Sequence, residues 1–153
     1  MKSYCKFFGF LFCFSVASAS LKPQRLKSQI LKVCGVPLEL ELAKSDAEIQ
    51  TGLMHRSEVK PGTGMIFIFP YSRVLRFWMK NVPMDIDVGF FDEKGVLVNA
   101  QTMKGESPMK MEDFLPNYSS VFPAKYAVEV EKGFYKNTLK GKSLSRCKIH
   151  PLL

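Results

Sequence analysis

Histidine is nearly absent from this 153-residue chain, which holds only His55 and His150. Neither lies in the close Cys/His spacing of a zinc site, so no metal centre is expected. The eight methionines are scattered rather than grouped with histidine and read as core filler, not copper ligands. A glycine-rich phosphate cradle is also missing, because Gly62-Thr63-Gly64 leads into an apolar strand instead of a helix. There is no serine-centred nucleophile motif, and the chain is short for a cleft that encloses a substrate. No cofactor is expected. Acidic side chains are outnumbered 14 to 22 by lysine and arginine, giving a formal charge of +8. That excess favours an anionic neighbour: nucleic acid, a lipid surface or an acidic polymer.

What is present begins with a leader. Lys2 and Lys6 precede an apolar stretch from Phe7 to Val16, followed by Ala17-Ser18-Ala19-Ser20. This is the layout of a cleavable signal peptide over residues 1–19. The stretch is well short of the roughly twenty residues a membrane-spanning helix needs, so no transmembrane segment is expected after cleavage. Cys13 lies inside the apolar run behind Phe12, the wrong setting for lipidation. The expected location is outside the cytoplasm, periplasmic or secreted. Export and the spread of basic residues over both ends argue against a nucleic-acid partner. Cleavage discards Cys5 and Cys13 and leaves Cys34 and Cys147. These two either form a disulfide in an oxidising compartment or remain buried thiols.

Residues 20–28 read as a basic linker and 29–153 as one domain, since the length leaves no room for a second core of ordinary size. Gln29 to Ala43 predicts a first strand or hairpin turning at Gly35-Val36-Pro37. Ser45-Asp46-Ala47-Glu48 is a capping-box pattern for a short helix to Thr51, with Gly52 as its stop. Strands are predicted over Met65 to Phe69, Arg73 to Lys80 and Ile86 to Phe91. Asp92-Glu93-Lys94-Gly95 then turns into a strand from Val96 to Met103. Lys104 to Phe122 reads as a long surface loop. A strand over Lys125 to Glu131, a turn or short helix over Gly133 to Leu139 and a last strand over Lys142 to Ile149 complete the domain. The pattern is mainly β, a β-rich α+β domain: a compact, strongly curved antiparallel or barrel-like sheet with one or two short helices. A monomer is expected.

Four motifs occur in order: Thr51-Gly52-Leu53-Met54-His55-Arg56, Gly64-Met65-Ile66-Phe67, Phe77-Trp78-Met79-Lys80-Asn81, and Tyr118-Ser119-Ser120 with Pro123-Ala124-Lys125-Tyr126. Together they resemble the DUF192 family over roughly Val33 to Leu144. The resemblance implies a bacterial origin and a shared fold, and no established activity. Two positions depart from the family pattern. Asp85 stands where proline is usual before Ile86-Asp87, and Gly141-Lys142 lacks the usual acidic residue.

Strand alternation adds a candidate surface. It points Leu75, Phe77 and Met79 inward with Val74, Arg76, Trp78 and Lys80 outward, and it turns Asp87 and Glu129 outward as well. Trp78, Lys80, Asn81, Asp87 and Glu129, joined by Arg56 past the helix, are the expected ligand-binding residues. The indole would stack on a sugar ring and the charges would meet hydroxyls or an anionic cell-wall polymer. The expected function is a non-catalytic envelope module for a saccharide or anionic polymer. Alternatives are a protein-docking domain, a hydrolase using Asp87 and Glu129 as paired carboxylates, or a solvated sheet face on which Lys80 pairs with Asp87 or Glu129.

Overall fold

A computed structural model describes residues 25–106 and 115–153. The expected leader, the linker before Arg25 and residues 107–114 of the expected loop lie outside the described residues. In chain order the elements are β1 (Ser28–Val33), β2 (Val36–Ala43), α1 (Asp46–Thr51), β3 (Thr63–Phe77), β4 (Ile86–Phe91), β5 (Leu97–Met103), β6 (Tyr118–Glu131), α2 (Phe134–Thr138), a single 3-10 turn (Leu144–Arg146) and β7 (Ile149–His150). The domain is mostly β with two short helices.

The strands form one sheet in the order β5-β4-β6-β3-β2-β1-β7. Every described neighbour pair is antiparallel except β2 and β3, which α1 separates in sequence and which run parallel. The sheet curls into a half-barrel until its two edges touch. Val96 bridges Lys148, while Leu97 N donates to Cys147 O and Ile149 N to Gly95 O, each at 2.9 Å.

Curling gives the sheet two buried faces. One core takes side chains from all seven strands, among them Leu31, Leu40, Ile66, Phe91, Leu97, Val128 and Ile149, as the inside of a barrel must. The other lies on the opposite face of β3, β4 and β6, where Met65, Phe67, Val88, Phe90 and Ala127 meet Leu53, Met79 and Val82 from the connecting loops. Each large apolar side chain so enclosed contributes about 1.5–3 kcal/mol. All six β4 residues are buried. Tyr135 of α2 reaches over Gly89, where a Cβ would collide with its ring, and its hydroxyl donates to Val128 O at 3.2 Å.

Several boundaries differ from the expectation. The first turn is Cys34-Gly35, both at positive φ, with Val33 opposite Val36. That is the geometry of a two-residue hairpin loop. The two strands expected at 65–69 and 73–80 are one 15-residue strand running through Pro70 and ending at Phe77. Trp78 to Lys80 lie in the following loop. Tyr118 to Phe122, expected in the surface loop, open β6. In place of a strand from Lys142, the chain makes the 3-10 turn and only a two-residue strand. Finally, the end of the linker is docked: Leu26 N donates to Glu41 Oε2 at 2.8 Å and Lys27 O accepts Leu42 N at 2.9 Å.

Candidate functional site

The site is assembled by two loops crossing the second core. The expected capping box forms: Ser45 Oγ accepts Glu48 N at 3.3 Å and Glu48 Oε2 accepts Ser45 N at 2.9 Å. Gly52 ends α1 at φ 46°. A Cβ there would come within 3.2 Å of the Phe67 ring, so both the backbone and the space call for glycine. The chain then turns at His55, at positive φ. His55 N donates to the carbonyl of Asn81, also at positive φ, at 2.9 Å. This bond ties the loop after α1 to the loop after β3. Met79, fully buried, plugs the second core between Trp78 and Lys80, leaving those two side chains beside the opening.

Behind Trp78 lies a slot of about 30 Å³ lined by Gly52, Phe67, Phe77, Trp78, Lys80 and Glu129, among others. It holds roughly one water-sized group. Three of the four sequence motifs supply its walls. Glu129 is 5 % exposed, and among the described residues no hydrogen bond reaches its carboxylate. Burial, opposed only by the more distant Arg56 charge, raises its pKa to about 8, so the carboxyl is mostly neutral at pH 7. Lys80 pairs with neither Asp87 nor Glu129; its Nζ stands 5.5 Å from the centre of the Trp78 ring.

On the other side of Trp78 a groove of about 440 Å³ is lined by Phe69, Arg73, Val74, Arg76, Phe77 and Trp78, with Ile49 and Leu75. No lining residue is acidic. Arg73, Arg76 and Trp78 are exposed, and among the described residues neither arginine makes an ion pair. The Arg73 guanidinium sits over the rings of Phe69 and Tyr71, at 5.4 and 5.5 Å, a contact that orients it without neutralising it. A larger cavity of about 520 Å³ lies against β2. Its acidic groups are engaged within the lining: Arg56 forks onto both oxygens of Glu41, Lys60 Nζ stands 3.9 Å from Glu58, and Ser28 Oγ donates to Glu39 at 2.8 Å.

The expected site residues therefore separate. Trp78, Lys80 and Glu129 come together. Asn81 acts through its backbone. Arg56, expected as an anion contact, is instead half of a partly buried ion pair that fastens its loop to β2, and that hydrogen bond holds Glu41 below the usual carboxylate range. Asp87, expected on the outer face with Glu129, is 2 % exposed on the other face. There it accepts from Thr102 Oγ1 at 2.8 Å and Tyr135 N at 3.2 Å. The paired-carboxylate arrangement does not exist. Arg73 was not foreseen; its only signal is the Pro70-Tyr71-Ser72 insert that breaks strand alternation before it. Asp85, the departure from the family pattern, gathers Lys132 Nζ at 2.8 Å, Gly105 N at 2.9 Å and Lys104 Nζ at 3.0 Å. Lys132 first, then the other two, hold its carboxyl well below the usual range.

A family model, DUF192, described as an uncharacterized ACR, matches residues 29–145. Two solved structures share the fold at a TM-score of 0.66 and 22% identity. One is a protein from Sinorhizobium meliloti described provisionally as a transcription regulator, covering 84% of this chain and 97% of that one. The other is a protein of unknown function from Novosphingobium aromaticivorans, covering 82% and 86%. No curated protein matches the chain. Among the described residues no helix is long and apolar enough to cross a membrane, and no group of three or more His, Cys, Asp or Glu side chains could hold a metal ion.

Proposed function

Because the chain belongs to the DUF192 family, whose description names no activity, we propose from the site itself that it is a non-catalytic binding module for an acidic saccharide or anionic polymer. The observation that carries this reading is the groove beside Trp78, whose charged lining is Arg73 and Arg76 with no acid among them. A flat exposed indole offers a stacking face to a sugar ring, and guanidinium forks suit carboxylate or phosphate substituents. Glu129 fits the same ligand. Held neutral in the slot behind the indole, it presents no negative charge to an approaching anion, and its hydroxyl can donate to a ligand oxygen. An exported location, as the leader suggests, would bring such a site to acidic envelope polymers.

The chain's single tryptophan makes the test direct. Titration with oligogalacturonate should give a saturable change in Trp78 fluorescence, weakened about tenfold or more in Arg73→Ser/Arg76→Ser, while uncharged glucose oligomers give none. Equal responses to charged and neutral sugars, or no response to either, would remove the reading.

A further inference from the structure

We propose that the bulged end of the β3–β6 ladder is a docking surface for an anionic lipid bilayer. The ladder is regular from Gly64 opposite Val130 to Ile68 opposite Tyr126 and then breaks twice. In the first break Phe69 to Ser72 stand against Lys125 alone. In the second, Ser120 to Phe122 stand against Leu75 alone. Extra residues on one strand must leave the plane of the sheet. The most exposed of them are apolar, Tyr71 at 60%, Val121 at 63% and Phe122 at 58%, and Val74 between the two breaks is 46% exposed. Val74 lies opposite Pro123, which joins the two bulges into one patch.

The protrusion is built into the fold. Ser120 is fully buried; its Oγ accepts Leu75 N at 3.0 Å and donates to Phe122 O at 2.6 Å. Ser119 Oγ accepts Val121 N at 3.1 Å. These bonds hold Val121 at φ 65°, a conformation that strains a β-branched residue. A strained valine and a phenylalanine held in water by a buried serine gain nothing for the isolated domain. They gain if the tip enters an apolar phase.

Charge selects that phase. Arg73, Arg76 and Lys125 flank the patch, and neither Phe69–Phe77 nor Tyr118–Tyr126 contains an acidic residue. An apolar tip with a cationic collar matches the interface of an anionic membrane, where aliphatic and aromatic groups dip below the headgroups and arginines meet the phosphates. Tyr71, Val121 and Phe122 do not line the groove, so the inference does not depend on the saccharide reading, although Arg73 and Arg76 serve both.

The test is co-sedimentation of the whole chain with phosphatidylglycerol/phosphatidylcholine vesicles at low salt, with Trp78 emission as a second readout. Binding should require phosphatidylglycerol, fall with added salt and shift the emission to the blue. Val121→Ser/Phe122→Ser should lose about tenfold or more of vesicle affinity while keeping the wild-type melting temperature and the oligogalacturonate response. No binding by the wild type would overturn the proposal. So would undiminished binding by the double serine variant, which would show plain charge attraction. Concentration-dependent dimers that dissolve in that variant, without vesicle binding, would assign the patch to a second copy of the chain and overturn it too.

Discussion

Asp87 and Glu129 stand on neighbouring strands yet on opposite faces of the sheet, because the β4–β6 register sets Val88, not Asp87, across from Glu129. The two carboxyls therefore have separate tasks. Asp87 tethers β4 to β5 through Thr102 and to the start of α2 through Tyr135 N. Asp87→Ala leaves the buried Tyr135 N without that acceptor, while the exposed Thr102 hydroxyl can turn to water, and should lower stability by about 1–3 kcal/mol, read from the urea midpoint. Ligand titration of Trp78 should be unchanged, since the opposite face is untouched. A variant as stable as the parent would show that the tether contributes nothing.

Glu129 should make the protein less stable as pH rises. Its pKa lies near 4.5 when unfolded and is raised to about 8 by burial in the fold. Between those values the folded state holds the extra proton. The stability of the neutral form is thus fully present below about pH 4.5 and is lost as pH climbs through 8. Glu129→Gln, neutral at every pH, should match the parent near pH 5 and exceed it on the order of 3 kcal/mol near pH 9. Oligogalacturonate affinity, which depends on the folded state alone, should fall as pH passes through about 8 in the parent only. Parallel stability curves for the two proteins would contradict the assignment.

The fork from Arg56 to Glu41 is partly buried and also anchors the chain entering β1 through Leu26 N. Glu41→Gln should cost about 1–2 kcal/mol, solvent screening keeping it at the low end. Since Arg56 lowers the Glu41 pKa, this contribution is present above the ordinary carboxylate range and fades as pH falls below it. Arg56→Lys should recover little, because an ammonium cannot engage both oxygens. Urea unfolding at neutral and acidic pH would read both effects, and a full rescue by lysine would reduce the fork to a point charge.

Local rules were legible in the sequence and enclosure was not. The capping box at Ser45 and Glu48 needs only its own four residues, and it forms as written. The turn at Asp92 to Gly95 is equally local. Alternation correctly placed Leu75 inward and Val74 and Arg76 outward, but Trp78 and Met79 lie beyond the strand's end at Phe77, and Glu129, expected outward, is 5% exposed. Nor could alternation report that both faces of β4 are covered, because Tyr135 arrives from far along the chain to close over Gly89. That is why Asp87 looked exposed. The two strands expected on either side of Pro70-Tyr71-Ser72 are one, because Pro70 lies in the bulge where a missing ladder donor matters least. The Lys142 to Ile149 segment read as a strand, but only Ile149 and His150 find β1 as a partner.

The seam of the half-barrel should depend on the disulfide that anchors one of its sides. Cys34, held at φ 53° in the β1–β2 turn, forms a disulfide with Cys147, 113 residues away in sequence. Cys34 N donates to Lys148 O at 3.0 Å, beside the bonds from Leu97 N to Cys147 O and Ile149 N to Gly95 O that join the sheet edges. The bridge therefore fastens the Cys147 side of the seam to the β1–β2 turn. Cys34→Ser/Cys147→Ser should lose about 4–5 kcal/mol in the chain-entropy account, a loop of this length being among the more effective to close. Exchange should show where. The amide protons of Leu97 and Ile149 should lose protection before those of the β3–β6 ladder, which has its own long register to hold it. If all amides lose protection together, the seam and the ladder are one cooperative unit and the closure is not a separate device. If none does, the hydrogen bonds and the burial of the Cys147 side chain are enough to hold the edges without the bond.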